Sequence, residues 1–215
     1  MAIRALLLNC TLKRSPAPSS SDLLGREVLA ALAEQGVEGE VVRVVDHDVR
    51  FGVSTDEGDG DGWPALRAKL LAAQILIIAT PIWLGQPSSV CKMVLERLDA
   101  ELSETDAEGR LCTYGKVAGV AVVGNEDGAH HTIGQVQQAL NEVGFTCPAA
   151  GATYWVGEAL HKLDYRDAGP KPDTTGRTTK ALALNAAHLA RLLAEQPYPP
   201  PETNNAGVGP SREPA

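Results

Sequence analysis

The sequence predicts a parallel β-sheet with helices packed on both faces, and three observations predict it. Short, almost wholly apolar runs recur at residues 3–8, 75–79 and 117–123, as strands buried on both faces require. Amphipathic stretches of helical period separate them. Strand and helix alternate five times with no internal repeat, and that order leads to parallel pairing through right-handed crossovers.

The elements follow in order. Ile3-Arg4-Ala5-Leu6-Leu7-Leu8 reads as the first strand. A helix is expected over Asp22–Gln35: Leu24, Val28 and Leu32 share a face, Ser20, Ser21 and Asp22 are candidate caps, and Gly36 stops it. Val41–Val45 is the second strand, and residues 46–62 form an acidic loop ending in Gly58-Asp59-Gly60-Asp61-Gly62. Glu57, Asp59, Asp61 and Gly62 fall where a calcium loop would begin, but Ala68 stands where a bidentate Glu is needed, so a solvated acidic loop is expected. Pro64 suits the first turn of the next helix, with Leu66, Leu70 and Leu71 inward. Ile75–Ala79 is the strongest strand signal, and Pro81 is expected to end it. Ser88 or Ser89 then caps a helix carrying Val90, Val94, Leu98 and Leu102 on one face. Val117–Val123 is the fourth strand. The loop Gly124–His131 leads to a helix with Ile133, Val136, Leu140 and Val143 inward and Gly144 past its end. A fifth strand lies within Thr146–Trp155. After a Gly-, Pro- and charge-rich stretch over 157–177, a last helix runs from Thr178 to Ala194, with Leu182, Ala186, Leu189 and Leu193 on one face. The domain is expected over 1–195, with 196–215 a Pro-rich disordered tail.

Composition narrows the function. Apolar residues make up 44% of the 215, which excludes wholesale disorder. Nineteen Lys and Arg against 27 Asp and Glu give a net charge of −8, which disfavours both nucleic acid and an anionic membrane as partner. The uncharged stretch from Leu70 onward is broken by Gln74, Thr80 and Pro81, so no bilayer-spanning run is expected. The apolar stretch Ala5–Leu8 is too short for a signal core. Cys10, Cys91, Cys112 and Cys147 show no metal-knuckle or redox-pair spacing. Reduced thiols and a cytoplasmic location are therefore expected.

In such a sheet a ligand sits beyond the strands' carboxyl ends, here the loops 9–21, 80–88 and 124–131. The first joins a buried strand to a helix N-terminus, where free N–H groups and the helix dipole attract an anion. Thr11, Ser15, Ser19, Ser20 and Ser21 bring hydroxyls, and Lys13 and Arg14 bring charge. There is neither a Gly-Lys-Ser/Thr run nor G-x-G-x-x-G, so the pattern points to a mononucleotide phosphate. In the second loop Pro81 and Pro87 bracket Trp83, and Gly85 allows close approach; this suits a flat heteroaromatic ring, or a Trp83 that packs on a neighbour. In the third, Gly124 and Gly128 allow a turn against a ligand and Asn125 can meet polar ring edges. His130 and His131 lack the further ligands a zinc site needs, so no metal is expected. Trp83, Tyr154, Trp155 and Tyr165, four of nine aromatics, fall in or after these loops.

The segment Ala79-Thr80-Pro81-Ile82-Trp83-Leu84-Gly85-Gln86-Pro87-Ser88-Ser89 is similar to the Thr-Pro-Ile-Tyr-x-Gly-x-Pro-Ser loop of the flavodoxin-like NAD(P)H-dependent FMN reductases and their quinone-reductase relatives. The first loop resembles their Gly-Ser-Pro-Arg…Ser-Asn-Thr phosphate loop: Thr11 takes the place of the first Ser, Lys13 that of the Arg, and Ser19-Ser20-Ser21 the closing hydroxyls. Gly124–His131 looks like the third flavin loop of an actinobacterial-type branch. Cys10 in place of Gly and the inserted Pro16-Ala17-Pro18 depart from the pattern, and the compact cysteine cluster of related iron–sulfur flavoproteins is missing.

The resemblance spans about residues 3–156. It implies a flavodoxin-like three-layer sandwich with strand order 2-1-3-4-5. It implies FMN held by Thr11, Lys13, Ser19, Ser20, Ser21, Pro81, Ile82, Trp83, Leu84, Gly85, Gly124, Asn125, Glu126, Asp127, Gly128 and His130. NAD(P)H would be the co-substrate, a quinone, free flavin or other small molecule the acceptor, and the protein a homodimer or homotetramer. The cofactor carries such chemistry, so no catalytic side chain is assigned; His130 and His131 are the first candidates for a proton donor. The alternative is a flavodoxin-type electron carrier with no substrate of its own. Thr11→Ala or Ser21→Ala is expected to weaken FMN retention.

Overall fold

Each apolar run becomes a strand because a helix on either side of it covers both of its faces. In the computed structural model, which describes residues 2–159, 161–170 and 172–201, the order is β1 (Arg4–Asn9), α1 (Ser20–Ala33), β2 (Glu38–Arg43), α2 (Trp63–Ala72), β3 (Ile75–Trp83), β4 (Gln86–Pro87), α3 (Ser89–Leu98), β5 (Val117–Gly124), α4 (Ala129–Glu142), β6 (Ala152–Val156) and α5 (Asp173–Glu195). The sheet runs β2-β1-β3-β5-β6, every neighbouring pair parallel. With the two-residue β4 set aside, this is the 2-1-3-4-5 order of the flavodoxin-like fold. The register pairs Asn9 with Ala79, Ala79 with Ala121, and Gly124 with Val156, so β1, β3, β5 and β6 all end at one edge.

Two apolar layers hold the sheet. On one face Leu6, Leu8, Ile78 and Val120 pack with Trp63, Leu66 and Leu70 of α2, Val94 and Leu98 of α3, and Val136 and Leu140 of α4. On the other, Leu7, Ile77 and Ala121 pack with Leu24 and Val28 of α1 and Leu182 and Ala186 of α5. Gly25 lets α1 close onto β1: a Cβ there would meet the Leu7 side chain at 2.7 Å.

The boundaries differ from the sequence reading in ways that have physical reasons. Pro81 does not end β3. Its fixed φ suits extended backbone, and the strand continues to Trp83, where a short antiparallel pairing with β4 turns the chain. Ser19, rather than Ser20, Ser21 or Asp22, caps α1, its side chain accepting the Asp22 N–H. Strand β2 starts early, at Glu38, and ends at Arg43, leaving Val44 buried in a 3-10 turn. Helix α3 ends at Leu98, and the 3-10 turn that follows leaves Leu102 exposed rather than on the buried face. Helix α5 begins at Asp173, five residues before Thr178. Threonine-rich turns are poor helix formers, but Thr175 Oγ1 donates to Tyr154 O (3.1 Å) and Thr153 Oγ1 lies 3.0 Å from Thr179 Oγ1.

The acidic loop is not simply solvated. Arg97 of α3 is fully buried and reaches into it, donating to Asp61 Oδ2 (2.7 Å), Arg50 O (2.9 Å) and Ser54 O (2.9 Å). Burial alone would raise the Asp61 carboxyl. The N–H groups of Glu57, Trp63 and Arg50, together with Arg97, outweigh it and hold the group well below the usual carboxylate range. Residues 196–201 of the expected tail lie near the loop before β5: Tyr198 stacks edge-on against Tyr114 (5.7 Å between centroids) and its hydroxyl meets Thr146 Oγ1 at 2.9 Å. Residues 202–215 of that expectation lie outside the described residues.

Candidate functional site

The ends of β1, β3 and β5 and the N-terminus of α1 enclose a cleft of about 170 Å³. Thr11, Lys13, Ser19, Ser20 and Ser21 line one end of it; Pro81, Ile82, Trp83, Gly124 and Asn125 line the other. The structure thus brings together residues of all three loops. Leu84, Gly85, Glu126, Asp127, Gly128 and His130 lie outside it. Their placement has local causes. Leu84, 91% exposed and at φ +53°, donates its N–H to Glu126 Oε1 (3.0 Å). The Asp127 carboxylate turns onto the Gly128 N–H (2.7 Å). A Cβ on Gly128 would come within 2.8 Å of Gly85, so the second and third loops touch back to back. The His130 ring stands edge-on to Tyr154 at 5.1 Å, and His131 Nε2 meets the side-chain amides of Gln86 (3.0 Å) and Gln135 (2.5 Å). Neither histidine faces the cleft.

The phosphate-side loop is built around Asn9, which sequence reasoning passed over. Asn9 is fully buried at the end of β1. Its Oδ1 accepts from the Thr11 N–H (3.2 Å) and the Ser21 hydroxyl (2.9 Å), and its Nδ2 donates to Asp22 Oδ1 (3.1 Å). Asn9 was legible as a polar residue closing an otherwise apolar strand. Arg43 holds the inserted prolines' segment through Ala17 O (2.7 Å), and Ser15 donates by both N–H (2.9 Å) and hydroxyl (2.5 Å) to Asp46, which keeps that carboxyl below its usual range.

Ser88 and Thr80 tie the second loop to the first. Ser88 Oγ donates to Cys10 O (2.6 Å) and accepts from the Cys91 N–H (3.1 Å), and Thr80 Oγ1 accepts from the Ser88 N–H (3.1 Å). The Cys10 and Cys91 thiols also meet in the core, and the hydrogen bond between them, with burial, pushes Cys10 well above a normal thiol. Their separation in sequence hid the pair.

Trp155, Asp164 and Tyr165 supply a third wall of the cleft; the sequence marked Trp155 and Tyr165 as aromatics beside the candidate loops, and Asp164 carried no signal. Tyr165 is buried against Trp155 (5.4 Å between centroids) and its hydroxyl donates to Glu27 of α1; burial and that bond push the phenol far up, so it stays neutral. Gly157 N–H to Gly124 O (2.8 Å) and Asn125 Nδ2 to His161 O (2.7 Å) pin the start of this segment to the third loop. Asn125 therefore spends one amide N–H on the protein. Among the described residues no group of three or more His, Cys, Asp or Glu side chains is placed to hold a metal.

The residues present fit a phosphate-bearing flat ligand. The Ser20 and Ser21 N–H groups at the head of α1 have no partner among the described residues, nor has the Lys13 ammonium. Thr11 is only 4% exposed, and its hydroxyl proton has no acceptor among the described residues although the residue lines the cleft. Half-exposed Trp83 and the apolar Pro81 and Ile82 stand beside these donors.

Comparison with known proteins places this cleft in context. The profile of the NADPH-dependent FMN reductase family matches residues 3–160. An 8-demethyl-8-aminoriboflavin-5'-phosphate synthase of Streptomyces davaonensis is 38% identical over 208 residues, covering 92% of this chain and 81% of that protein. A protein of Mycobacterium bovis named divalent metal cation transporter MntH is 39% identical over 214 residues, 96% of this chain, which spans only 31% of that protein's length. Among the described residues no helix is long and apolar enough to cross a membrane. The structure of RosB with bound 8-demethyl-8-formylriboflavin-5'-phosphate superposes with a TM-score of 0.83 at 37% identity, over 92% of this chain and 82% of that one. An archaeal flavodoxin, 10% identical over 88% of this chain and 99% of its own, shares the fold with a TM-score of 0.56. With the profile matching most of its length, the chain belongs to the NADPH-dependent FMN reductase family.

Proposed function

We propose that the chain is an FMN-dependent oxidoreductase that uses NAD(P)H as hydride source and a small molecule as final acceptor. One observation carries the reading: a single cleft sets unspent phosphate donors beside an apolar, Trp-bearing wall, the two chemistries FMN presents at its ends. FMN supplies the hydride-accepting and electron-donating chemistry. The chain's residues bind and orient. Thr11, Ser20, Lys13 and the head of α1 hold the phosphate, while Pro81, Ile82 and Trp83 bear on the ring. Tyr165, tied to Glu27, fixes the third wall.

A second reading has its own support. The synthase relative is named for a riboflavin phosphate altered at position 8, the RosB structure holds another as a bound intermediate, and the two are 38% and 37% identical to this chain. Under that reading the same cleft takes a riboflavin phosphate as reactant, not as resident cofactor. Turnover with NADPH and a quinone, followed by mass analysis of the flavin, separates the two. Sustained NADPH consumption with FMN of unchanged mass supports the oxidoreductase. No consumption, with a flavin of altered mass once an amino donor is present, supports the modifying enzyme.

A further inference from the structure

Five hydroxyls cluster in and around the first loop, and the hydrogen-bond pattern divides them. Thr11 N–H is a donor and the Asp22 carboxylate an acceptor, so their contacts with Asn9 fix which end of its amide is oxygen. Ser21, 2.9 Å from that oxygen, therefore donates to it. With the Ser21 proton committed, the 3.0 Å contact between Ser19 Oγ and Ser21 Oγ has Ser19 as donor. Ser19 meanwhile accepts the Asp22 N–H as the helix cap. Ser15 gives its proton to Asp46. Three of the five protons are thus spent inside the protein.

Thr11 and Ser20 stand on the other side of this division. Thr11 Oγ1 accepts the Lys13 N–H (3.3 Å) and Ser20 Oγ accepts the Arg166 N–H in a long 3.5 Å contact. Each oxygen is held by a backbone donor, and each proton is left without an acceptor among the described residues. Thr11 is moreover 4% exposed, a buried donor that lines the cleft.

We infer that Asn9 is a positioning residue that sorts these hydroxyls: it takes up the Ser19–Ser21 relay and leaves Thr11 and Ser20 as the side-chain hydroxyl donors to a phosphate monoester dianion. The inference rests on the phosphate reading of this end of the cleft and sharpens it, because only two of the five hydroxyls then distinguish a phosphorylated ligand from its dephosphorylated form. Asn9 also keeps a neutral amide between the Asp22 carboxylate and the phosphate position. A carboxylate at position 9 would face Asp22 Oδ1 across about 3 Å and add negative charge where an anion must sit.

The test is the affinity of the flavin-stripped full chain for FMN and for riboflavin, read as the ratio of the two. A hydrogen bond to a charged group lost from the phosphate costs about tenfold or more in binding. Thr11→Val and Ser20→Ala should each lower the preference for FMN by about tenfold with riboflavin affinity unchanged. Ser19→Ala and Ser21→Ala should leave the ratio within about twofold, whatever they cost in stability. Asn9→Asp should lower the ratio more than either donor variant. A merely structural role for Asn9 would weaken both flavins alike and leave the ratio intact, which contradicts the proposal. Should Asn9→Asp not fold, the four serine and threonine variants still decide it: a wild-type preference that survives Thr11→Val and Ser20→Ala, or that falls as far in Ser21→Ala, overturns the proposal alone. Equal wild-type affinity for FMN and riboflavin overturns it together with the phosphate reading.

Discussion

At the scale of single residues, the pair Arg97–Asp61 sets how the protein responds to acid. Both side chains are fully buried and 2.7 Å apart. Removing one partner of such a pair leaves the other charged and unsolvated, which costs about 3–5 kcal/mol. Asp61→Asn should therefore lower the urea-derived unfolding free energy at pH 7 by about 3 kcal/mol. The pH dependence has a definite sign. The folded-state carboxyl titrates below the 3.8 of an unperturbed Asp, so its stabilisation is fully present above that value and is lost as pH falls below it. The wild type should lose stability between about pH 4 and pH 2 more steeply than Asp61→Asn; parallel acid limbs would contradict the assignment. Residue identity made the hydroxyl-rich loop legible, with Thr11 and Ser20 among its members. Which hydroxyls are spent was not legible, because Asn9 and Asp46 decide it and only the folded loop sets them in place.

At the scale of elements, the helices and strands with strong apolar period were readable and those held by polar side chains were not. The first turn of α5 shows why. Thr174, Thr175, Thr178 and Thr179 carry little helix propensity, but hydroxyl contacts with β6 at Thr153 and Tyr154 fix it. Thr153→Val keeps the shape and removes the contacts of the Thr153 hydroxyl, at about 1 kcal/mol, so Tm should fall by about 2–4 °C. Loss confined to faster amide exchange over residues 173–179 would accompany it; an unchanged Tm would mean that the turn is held by packing alone. Pro81 is the opposite case. The prolines that signalled a loop mark its rim, and the strand runs through the first of them to present Ile82 and Trp83 at the cleft.

At the scale of the whole molecule, the parallel sheet and a ligand site beyond its strands' carboxyl ends followed from alternation; the strand order followed from the resemblance of the loops to a known family. What alternation does not encode is the wall formed by Trp155, Asp164 and Tyr165, which returns from β6 to α1 and closes the cleft. The central claim, a flavin held in that cleft and reduced by nicotinamide nucleotide, is most directly tested by the visible spectrum of the full chain loaded with FMN under anaerobic conditions. The account predicts that FMN co-elutes with the protein and that NADPH or NADH bleaches its long-wavelength absorbance in a two-electron step. Failure to bind FMN, or bound FMN that stays oxidised in both nucleotides yet bleaches with a chemical reductant, would contradict it.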